Sequence, residues 1–466
     1  MPTCQEFFND RAERRELESR RFYHTLLKRC YRFFVPFGQR VVELGSDIGD
    51  LLAAVMPGEG VGVDFSPRLI DIARERHKDL KFERKDVAEY EPKEKFDYII
   101  ASDLVNDLPD VQAMLEKARS YAHSESRIVL NFFNNLWKPI LGLAESLNLK
   151  APTQKQNWLS RQDMQNLLEI AGWEIVKSDT KILCPIPIPL IEPFLNRWIA
   201  PLPIIRHLCL TVFIVARPKP DLQTERELSC TVVIPARNEA GNIEDAVKRT
   251  PELGKGTEII FIEGHSTDNT WEEVQRVAKA YPDRNIKTMQ QTTKGKGGAV
   301  REAFAVATGD VLFILDADLT MPPEELPKFY ELVRNGCADF ANGVRLVYPM
   351  ENEAMRFFNM IGNHFFSRAF TWLLGQPIKD TLCGTKVLTR KNYQMIADNR
   401  SYFGNFDPFG DFDLLFGATK LNLKIVDLPI RYRARTYGDT NIDRWRHGVI
   451  LLRMTVYAAR RLRFVR

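Results

Sequence analysis

The chain has 466 residues, 44% hydrophobic and 27% charged, with a net charge of +4. That length exceeds what one hydrophobic core spans and calls for two or three domains, while so small a net charge argues against nucleic acid as a partner. Seven scattered cysteines without a C-x-x-C pair exclude a disulfide framework and a paired-cysteine zinc site, and fit a reducing compartment.

The opening segment, MPTCQEFFNDRAERRELESRR, is too charged for a secretory signal. It leads into RVVELGSDIGDLLAAV, residues 40–55, which reads as a strand, a glycine turn and a helix. GVGVDFSPRLIDIARERH repeats the plan with a strand ending at Asp64. KFERKDVAEY and FDYIIASDLVNDLPD add two further strands. Strands alternating with helical patterns imply parallel pairing in a doubly wound α/β sheet. Gly45 and Gly49 let backbone approach a ligand at a helix start, and Asp64, about 20 residues on, ends a strand where an acid can hold ribose hydroxyls. Asp86 stands where a carboxylate accepts from an adenine amine.

This order resembles the class I S-adenosylmethionine-dependent methyltransferases. The resemblance implies a Rossmann-like fold and S-adenosylmethionine as cofactor, with Glu43, Gly45, Asp47, Gly49, Asp64, Asp86 and Asp103 at its site. The segment Ser102 to Asp110 would face the methyl acceptor, with Asp103, Asn106 and Asn131 as candidates to position it. Asp47 departs from the family, which has a small residue there, so a silent binding module is the alternative to an active methyltransferase; a dinucleotide oxidoreductase is the other reading of the glycine turn. CPIPIPLIEPFLNRWIAPLP, residues 184–203, holds six prolines and is expected to be an extended insertion between the last strands, either a packing arm or an apolar lip for a lipid-linked substrate.

ARPKPDLQTERELSC, residues 216–230, is polar, carries two prolines and reads as a linker, dividing the chain into domains 1–218 and 219–466. Beyond it, TVVIPARNE and EIIFIEGHSTD are strands feeding helices, with Glu263 at a strand end and Asp268 also suited to cap a helix. TTKGKGGAVREAF gives a glycine-lysine turn whose Lys294, Lys296 and Arg301 suit a diphosphate. The apolar run 311–315 then stops at Asp316-Ala317-Asp318. Two carboxylates one residue apart at the carboxyl edge of a sheet favour a hard divalent cation that also meets phosphate oxygens.

This half is similar to the family 2 glycosyltransferases of the GT-A nucleotide-diphospho-sugar transferase fold, and among them to the dolichyl- and polyprenyl-phosphate sugar synthases, over about residues 231–435. The resemblance implies nucleotide-sugar contacts at Pro235, Arg237, Glu239, Glu263, Asp268, Lys296, Arg301 and Asp316, and Mg2+ or Mn2+ at Asp316 and Asp318. DTLCGTK, 380–386, matches the polyprenyl-phosphate group, and FGDFDLL, 409–415, stands for its acceptor-side acids, so Asp411, or else Asp413, would take a proton from a hydroxyl acceptor. Arg431, Arg433 and Arg435 are spaced to share one strand face toward an acceptor phosphate. Aromatic residues 354–375 and the terminal 23 residues, with seven arginines and no acid, read as surfaces for lipid headgroups or as core-packed helices. No apolar window reaches the ~18 residues of a membrane span. The expectation is an inverting glycosyltransferase fused to a methyltransferase, cytoplasmic and at most peripheral to the inner face of a membrane. Its partners would be a nucleotide sugar and a polyprenyl-phosphate or lipid-linked glycan acceptor. A soluble glycan or protein acceptor is the alternative.

Overall fold

The computed structural model describes residues 22–147, 156–222, 226–345, 347, 357–402, 411–435, 437 and 444–464, without the side chains of 357–364, 411 and 444–448. The chain forms two compact units, one of Met1–Lys219 with Phe464–Arg466 and one of Pro220–Arg463.

The first unit runs α1 (Phe22–Phe34), β1 (Arg40–Leu44), α2 (Asp50–Ala54), β2 (Glu59–Asp64), α3 (Pro67–Arg76), β3 (Lys81–Arg84), β4 (Phe96–Ser102), α4 (Val111–Ser120), β5 (Ala122–Phe133), α5 (Lys138–Ser146), α6 (Arg161–Ile170), β6 (Trp173–Lys181) and β7 (Thr211–Pro218). Its sheet has the order β3-β2-β1-β4-β5-β7-β6, parallel except for β7. Side chains alternate between the two faces along each strand. Val42, Leu44 and Ile99 meet Met114 and Leu115 of α4 and Leu168 of α6. Val41, Tyr98 and Ile100 meet Leu27, Tyr31 and Phe34 of α1. Both faces are covered, which is why these strands read as continuous apolar runs.

The second unit runs β8 (Cys230–Ala236), α7 (Ile243–Arg249), β9 (Thr257–Glu263), α8 (Thr270–Ala280), β10 (Asn285–Gln290), α9 (Lys296–Val306), β11 (Val311–Ile314), α10 (Leu326–Arg334), β12 (Phe340–Val344), α11 (Phe357–Leu374), β13 (Lys386–Thr389), α12 (Arg390–Asp398), α13 (Asp411–Lys420), β14 (Ile425–Pro429) and α14 (Arg444–Leu462). Its sheet has the order β10-β9-β8-β11-β13-β12-β14. The β10-β9-β8-β11 half is parallel, and β13 runs antiparallel to both its neighbours. Both units are mixed α/β sheets with helices on two sides, as the alternating pattern requires.

Two local expectations are corrected. Residues 431–435 are not a strand: β12 ends at Val344, paired with Pro429, so the chain beyond has no ladder to join. The proline-rich segment is not extended. Proline fixes φ near −65°, which suits a helical turn as well as an extended chain, and the segment folds into short turns at Ile191–Phe194, Leu195–Ile199 and Ile205–Leu208. Asn196 pins it by accepting from the Leu183 and Cys184 amides and donating to the Cys184 carbonyl, each at 2.8 Å.

None of the described helices is long and apolar enough to cross a membrane. The aromatic helix α11 turns Phe370 inward against Phe412 and Phe416 of α13, with ring centroids 5.3 and 5.6 Å apart. Helix α14 buries Leu451, Met454, Ala458 and Leu462 and leaves Val449, Leu452 and Val456 outward.

Candidate functional site

In the first unit a cavity of about 940 Å³ opens where β1, β2 and β4 end. Its floor is the turn after β1, with Gly45 at φ 69°, Asp47 at φ 51° and Gly49 at φ 78°. A side chain at Gly49 would meet the Phe82 ring at 2.5 Å, so this position needs glycine. Asp47, at φ 51°, occupies a left-handed conformation that aspartate tolerates better than most residues. Asp64 anchors the loop: its carboxylate accepts from the Asp47 amide at 3.1 Å and the Ser66 amide at 3.0 Å. Asp86 lines the same cavity and accepts from the Ala88 amide at 2.9 Å.

Asp103, at φ 54°, projects from the end of β4 into a polar network. It accepts from Asn131 Nδ2 at 2.5 Å and from Tyr23 Oη at 3.2 Å, while Asn131 Oδ1 accepts from Tyr31 Oη at 2.7 Å. Burial, and then the Asp103 charge, push the Tyr23 hydroxyl well up, so it stays a donor. Asn106 is buried, and its carbonyl oxygen faces the Phe133 amide at 3.4 Å. Tyr23 and Tyr31 carry no motif in the sequence, and only the packing of α1 brings them here.

Glu43 lines the cavity at 3% exposure, and its Oε2 has no hydrogen-bond partner. Burial pushes its carboxyl well above the usual range, against one backbone hydrogen bond from Leu52. A raised carboxyl holds its proton in the folded state at pH values where the unfolded chain has lost it. Stability therefore falls as pH rises above the unfolded value of about 4.3. Glu43→Gln keeps the neutral shape and is expected to raise the thermal midpoint by ~2–4 °C at about pH 7. At about pH 4 the two proteins should melt together. Calorimetric melts at both pH values check this.

In the second unit, Asp316 and Asp318 follow β11 at the carboxyl edge, and the turn they open carries Leu319 at φ 51°. Asp316 meets Lys296 Nζ at 2.6 Å, at the first residue of α9. Burial raises the Asp316 carboxyl, but the surrounding cations, Lys296 foremost with Lys386 and Arg345, together hold it below the usual range. Asp318 meets Arg435 Nη2 at 2.8 Å, and Arg435 also reaches Glu239 at 3.0 Å. Burial raises the Glu239 carboxyl despite that guanidinium. Gly384 presses on the cluster so closely that a Cβ there would stand 2.0 Å from Asp316 Oδ2. Thus Glu239, Lys296, Asp316, Asp318 and Arg435, from four separate stretches of sequence, form one charged site. Glu263 lies at the neighbouring strand end, 4% exposed, and accepts from the Ser266 amide at 2.5 Å.

Other sequence candidates are placed differently. Asp268 accepts from the Thr270 amide and hydroxyl just before α8, but the N-cap position is Asn269, whose side chain makes no cap hydrogen bond, so Asp268 does not take the capping role. Arg301 stands 4.0 Å from Asp413, whose carboxylate meets Arg400 Nε at 2.8 Å. Arg237 and Pro235 edge the turn after β8, Arg237 exposed. The Asp411 side chain lies outside the described residues. Arg431 and Arg433 are exposed, whereas Arg435 turns inward, so the three do not share one face. Among the described residues no three His, Cys, Asp or Glu side chains cluster as metal ligands. Asp316 and Asp318 offer two carboxylates, a set suited to a cation that keeps water and phosphate oxygens rather than one caged by protein.

Sequence reading missed Arg345. It forms a two-pronged pair with Asp380, Nε to Oδ2 at 2.7 Å and Nη2 to Oδ1 at 2.9 Å. Burial would raise Asp380, but Arg345 holds it below the usual carboxylate range. Its stabilisation is therefore intact above the unfolded carboxylate pKa and is lost as pH falls through the lower folded value. Asp380→Asn leaves Arg345 buried without its counter-charge and is expected to cost about 3–5 kcal/mol. Urea unfolding of the variant, read as a lowered midpoint at unchanged slope, checks it.

The family described as "Methyltransferase domain" matches residues 11–178, and "Glycosyl transferase family 2" matches residues 231–394. Among curated relatives, a dolichol-phosphate mannosyltransferase of Pyrococcus furiosus is 35% identical over 226 residues, 46% of this chain and 59% of its own length. Glycosyltransferase AglD of Haloferax volcanii is 29% identical over 48% of this chain and 36% of its own length. The chain thus spans about a third to three fifths of these relatives. Of solved structures, glucosyl-3-phosphoglycerate synthase of Mycobacterium tuberculosis, a complex with Mn2+ and UDP, aligns at 18% identity and TM-score 0.37, covering 50% of this chain and 80% of its own. A methyltransferase bound to the Trm112 activator from Haloferax volcanii aligns at 18% identity and TM-score 0.36, covering 46% of this chain and 97% of its own.

Proposed function

Because this chain joins a methyltransferase domain to a family 2 glycosyltransferase domain, we propose that it moves a sugar from a nucleotide sugar to a polyprenyl phosphate or lipid-linked glycan and methylates the sugar or the product with S-adenosylmethionine. The observation that carries this reading is the meeting of Asp316 and Asp318 with Lys296 and Arg435 at one sheet edge. The relative named for dolichol phosphate supports the acceptor class.

The sugar's anomeric carbon breaks its bond to the diphosphate and forms one to the acceptor oxygen on the opposite face, with inversion. A divalent cation at Asp316 and Asp318 supplies Lewis-acid stabilisation for the departing diphosphate. Lys296, at the amino end of α9, adds a charge and a helix terminus suited to the same oxygens. Glu239, Glu263, Pro235 and Arg237 border the space for base and ribose. A phosphate acceptor is already anionic and needs no base, and Arg431 and Arg433 stand exposed to meet it. For a hydroxyl acceptor Asp411 takes the proton, since the Asp413 carboxylate is engaged by Arg400.

In the first unit the turn after β1, Asp64 and Asp86 fit S-adenosylmethionine by position and cavity size. Transfer breaks the sulfonium–methyl bond and needs mainly alignment of the acceptor. Asp103, oriented by Asn131 and Tyr23, performs that alignment. Peripheral membrane contact is part of the proposal, with the outward apolar side chains and arginines of α14 as one contact.

The test is product mass spectrometry with a panel of nucleotide sugars, a prenyl phosphate, Mn2+ and S-adenosylmethionine. The reading predicts a glycosylated prenyl phosphate. Transfer only to soluble glycans would overturn the acceptor.

A further inference from the structure

The first unit spends its apolar surface unusually. Of the 24 large hydrophobic side chains exposed among the described residues, 13 lie in two segments: four at 136–147 and nine at 186–208. Both rise from one edge of the sheet. The last residue of β5, Phe133, pairs with the first of β7, Thr211, which pairs with the last of β6, Lys181. This is the carboxyl edge on which the cavity opens. The two segments are stapled together: Trp137 Nε1 donates to the Leu208 carbonyl at 2.8 Å, and Asn134 Nδ2 donates to the His207 and Cys209 carbonyls at 2.9 and 3.0 Å.

Three observations show that this face is built to be covered. Helix α5 has nine residues and no buried side chain, while Ile140, Leu143 and, just beyond it, Leu147 stand outward one turn apart. So short a helix is marginal in water without a surface to dock on. Leu190 is 87% exposed and held at φ 66°, so the backbone bears strain to present a leucine to the outside. Ile204 is 81% exposed in a segment whose prolines restrict the unfolded chain and keep its path.

Chemistry identifies the cover. Eleven of the 13 are leucine or isoleucine, residues that favour hydrocarbon. Protein interfaces instead concentrate their energy in tryptophan, tyrosine and arginine, with leucine under-represented. The cations suit anionic headgroups: Lys138 is exposed, and the Arg197 guanidinium lies 5.0 Å from the centre of the Trp198 ring. Glu192 is turned inward, 6% exposed, to accept from Asn196 at 2.7 Å. Apolar side chains with tryptophans and flanking cations form the pattern of an interfacial membrane surface.

We propose that residues 134–147 and 183–208 form a platform that inserts into the interface of an anionic lipid bilayer, seating the methyltransferase cavity against the membrane. Beside the platform, at the start of β7, Thr211 Oγ1 lies 3.3 Å from Tyr23 Oη, which donates to Asp103 at the cavity. The methyl acceptor is then a group held at headgroup level.

The test uses the full chain with vesicles of phosphatidylcholine alone and of phosphatidylcholine with phosphatidylglycerol, without nucleotide sugar, metal or S-adenosylmethionine, so its outcome is separate from transfer. The wild type is expected to sediment with the anionic vesicles. Leu190→Asp with Ile204→Asp is expected to weaken that partition at least about tenfold, with an unchanged thermal midpoint because both side chains already meet solvent. A wild type that stays in solution, or a double variant that binds like wild type, overturns the proposal. So does a wild-type dimer by light scattering that the double variant converts to monomer with vesicle binding unaltered, since the face then belongs to a second copy.

Discussion

Replacing Asp316 and Asp318 together by alanine is expected to lower sugar transfer by at least about a thousandfold, because a departing diphosphate then loses its cation, and one such electrostatic partner commonly contributes 10²–10³. The fold should survive. The two side chains are 35% and 16% exposed, and their partners Lys296 and Arg435 are part-exposed cations that water can solvate. Steady-state rates with Mn2+, alongside far-ultraviolet circular dichroism, make the measurement. Metal-dependent turnover near the wild-type rate in a folded double variant would contradict the assignment.

Asp64→Ala is expected to weaken S-adenosylmethionine binding by about 10²–10⁴, since two charge-assisted hydrogen bonds to ribose hydroxyls are lost at ~1.5–3 kcal/mol each. The same carboxylate holds the Asp47 and Ser66 amides, so alanine also loosens the turn that forms the cavity floor. Asp64→Asn, which keeps one acceptor, should fall between alanine and wild type. Isothermal titration gives the affinities. Equal heats for wild type and the alanine variant would remove Asp64 from the cofactor site, and no heat from folded wild type would remove the methyltransferase reading.

Strand ends were legible in the sequence because a buried parallel strand is an unbroken apolar run that must stop where a polar group begins. Asp64, Glu263 and Asp316 announce the edges of β2, β9 and β11 in that way. What escaped is what folding brings from afar. Arg435 reads as one of three evenly spaced arginines, yet only the end of β14 at Pro429 frees it to reach Asp318, 117 residues away. Gly384 reads as part of a motif, but its need for a missing side chain depends on Asp316 standing against it. The proline run misled because proline limits φ without choosing between a turn and an extended chain. Asn196, hydrogen-bonding back to Cys184, makes that choice.

Equilibrium binding of a nucleoside diphosphate to the full chain, titrated with Mn2+ and again with EDTA, tests the two-carboxylate site most directly. Binding that tightens at least about tenfold with Mn2+, and loses that gain in Asp316→Ala, is the predicted result. Equal affinity with and without the cation, in a protein that binds the nucleotide, would contradict it.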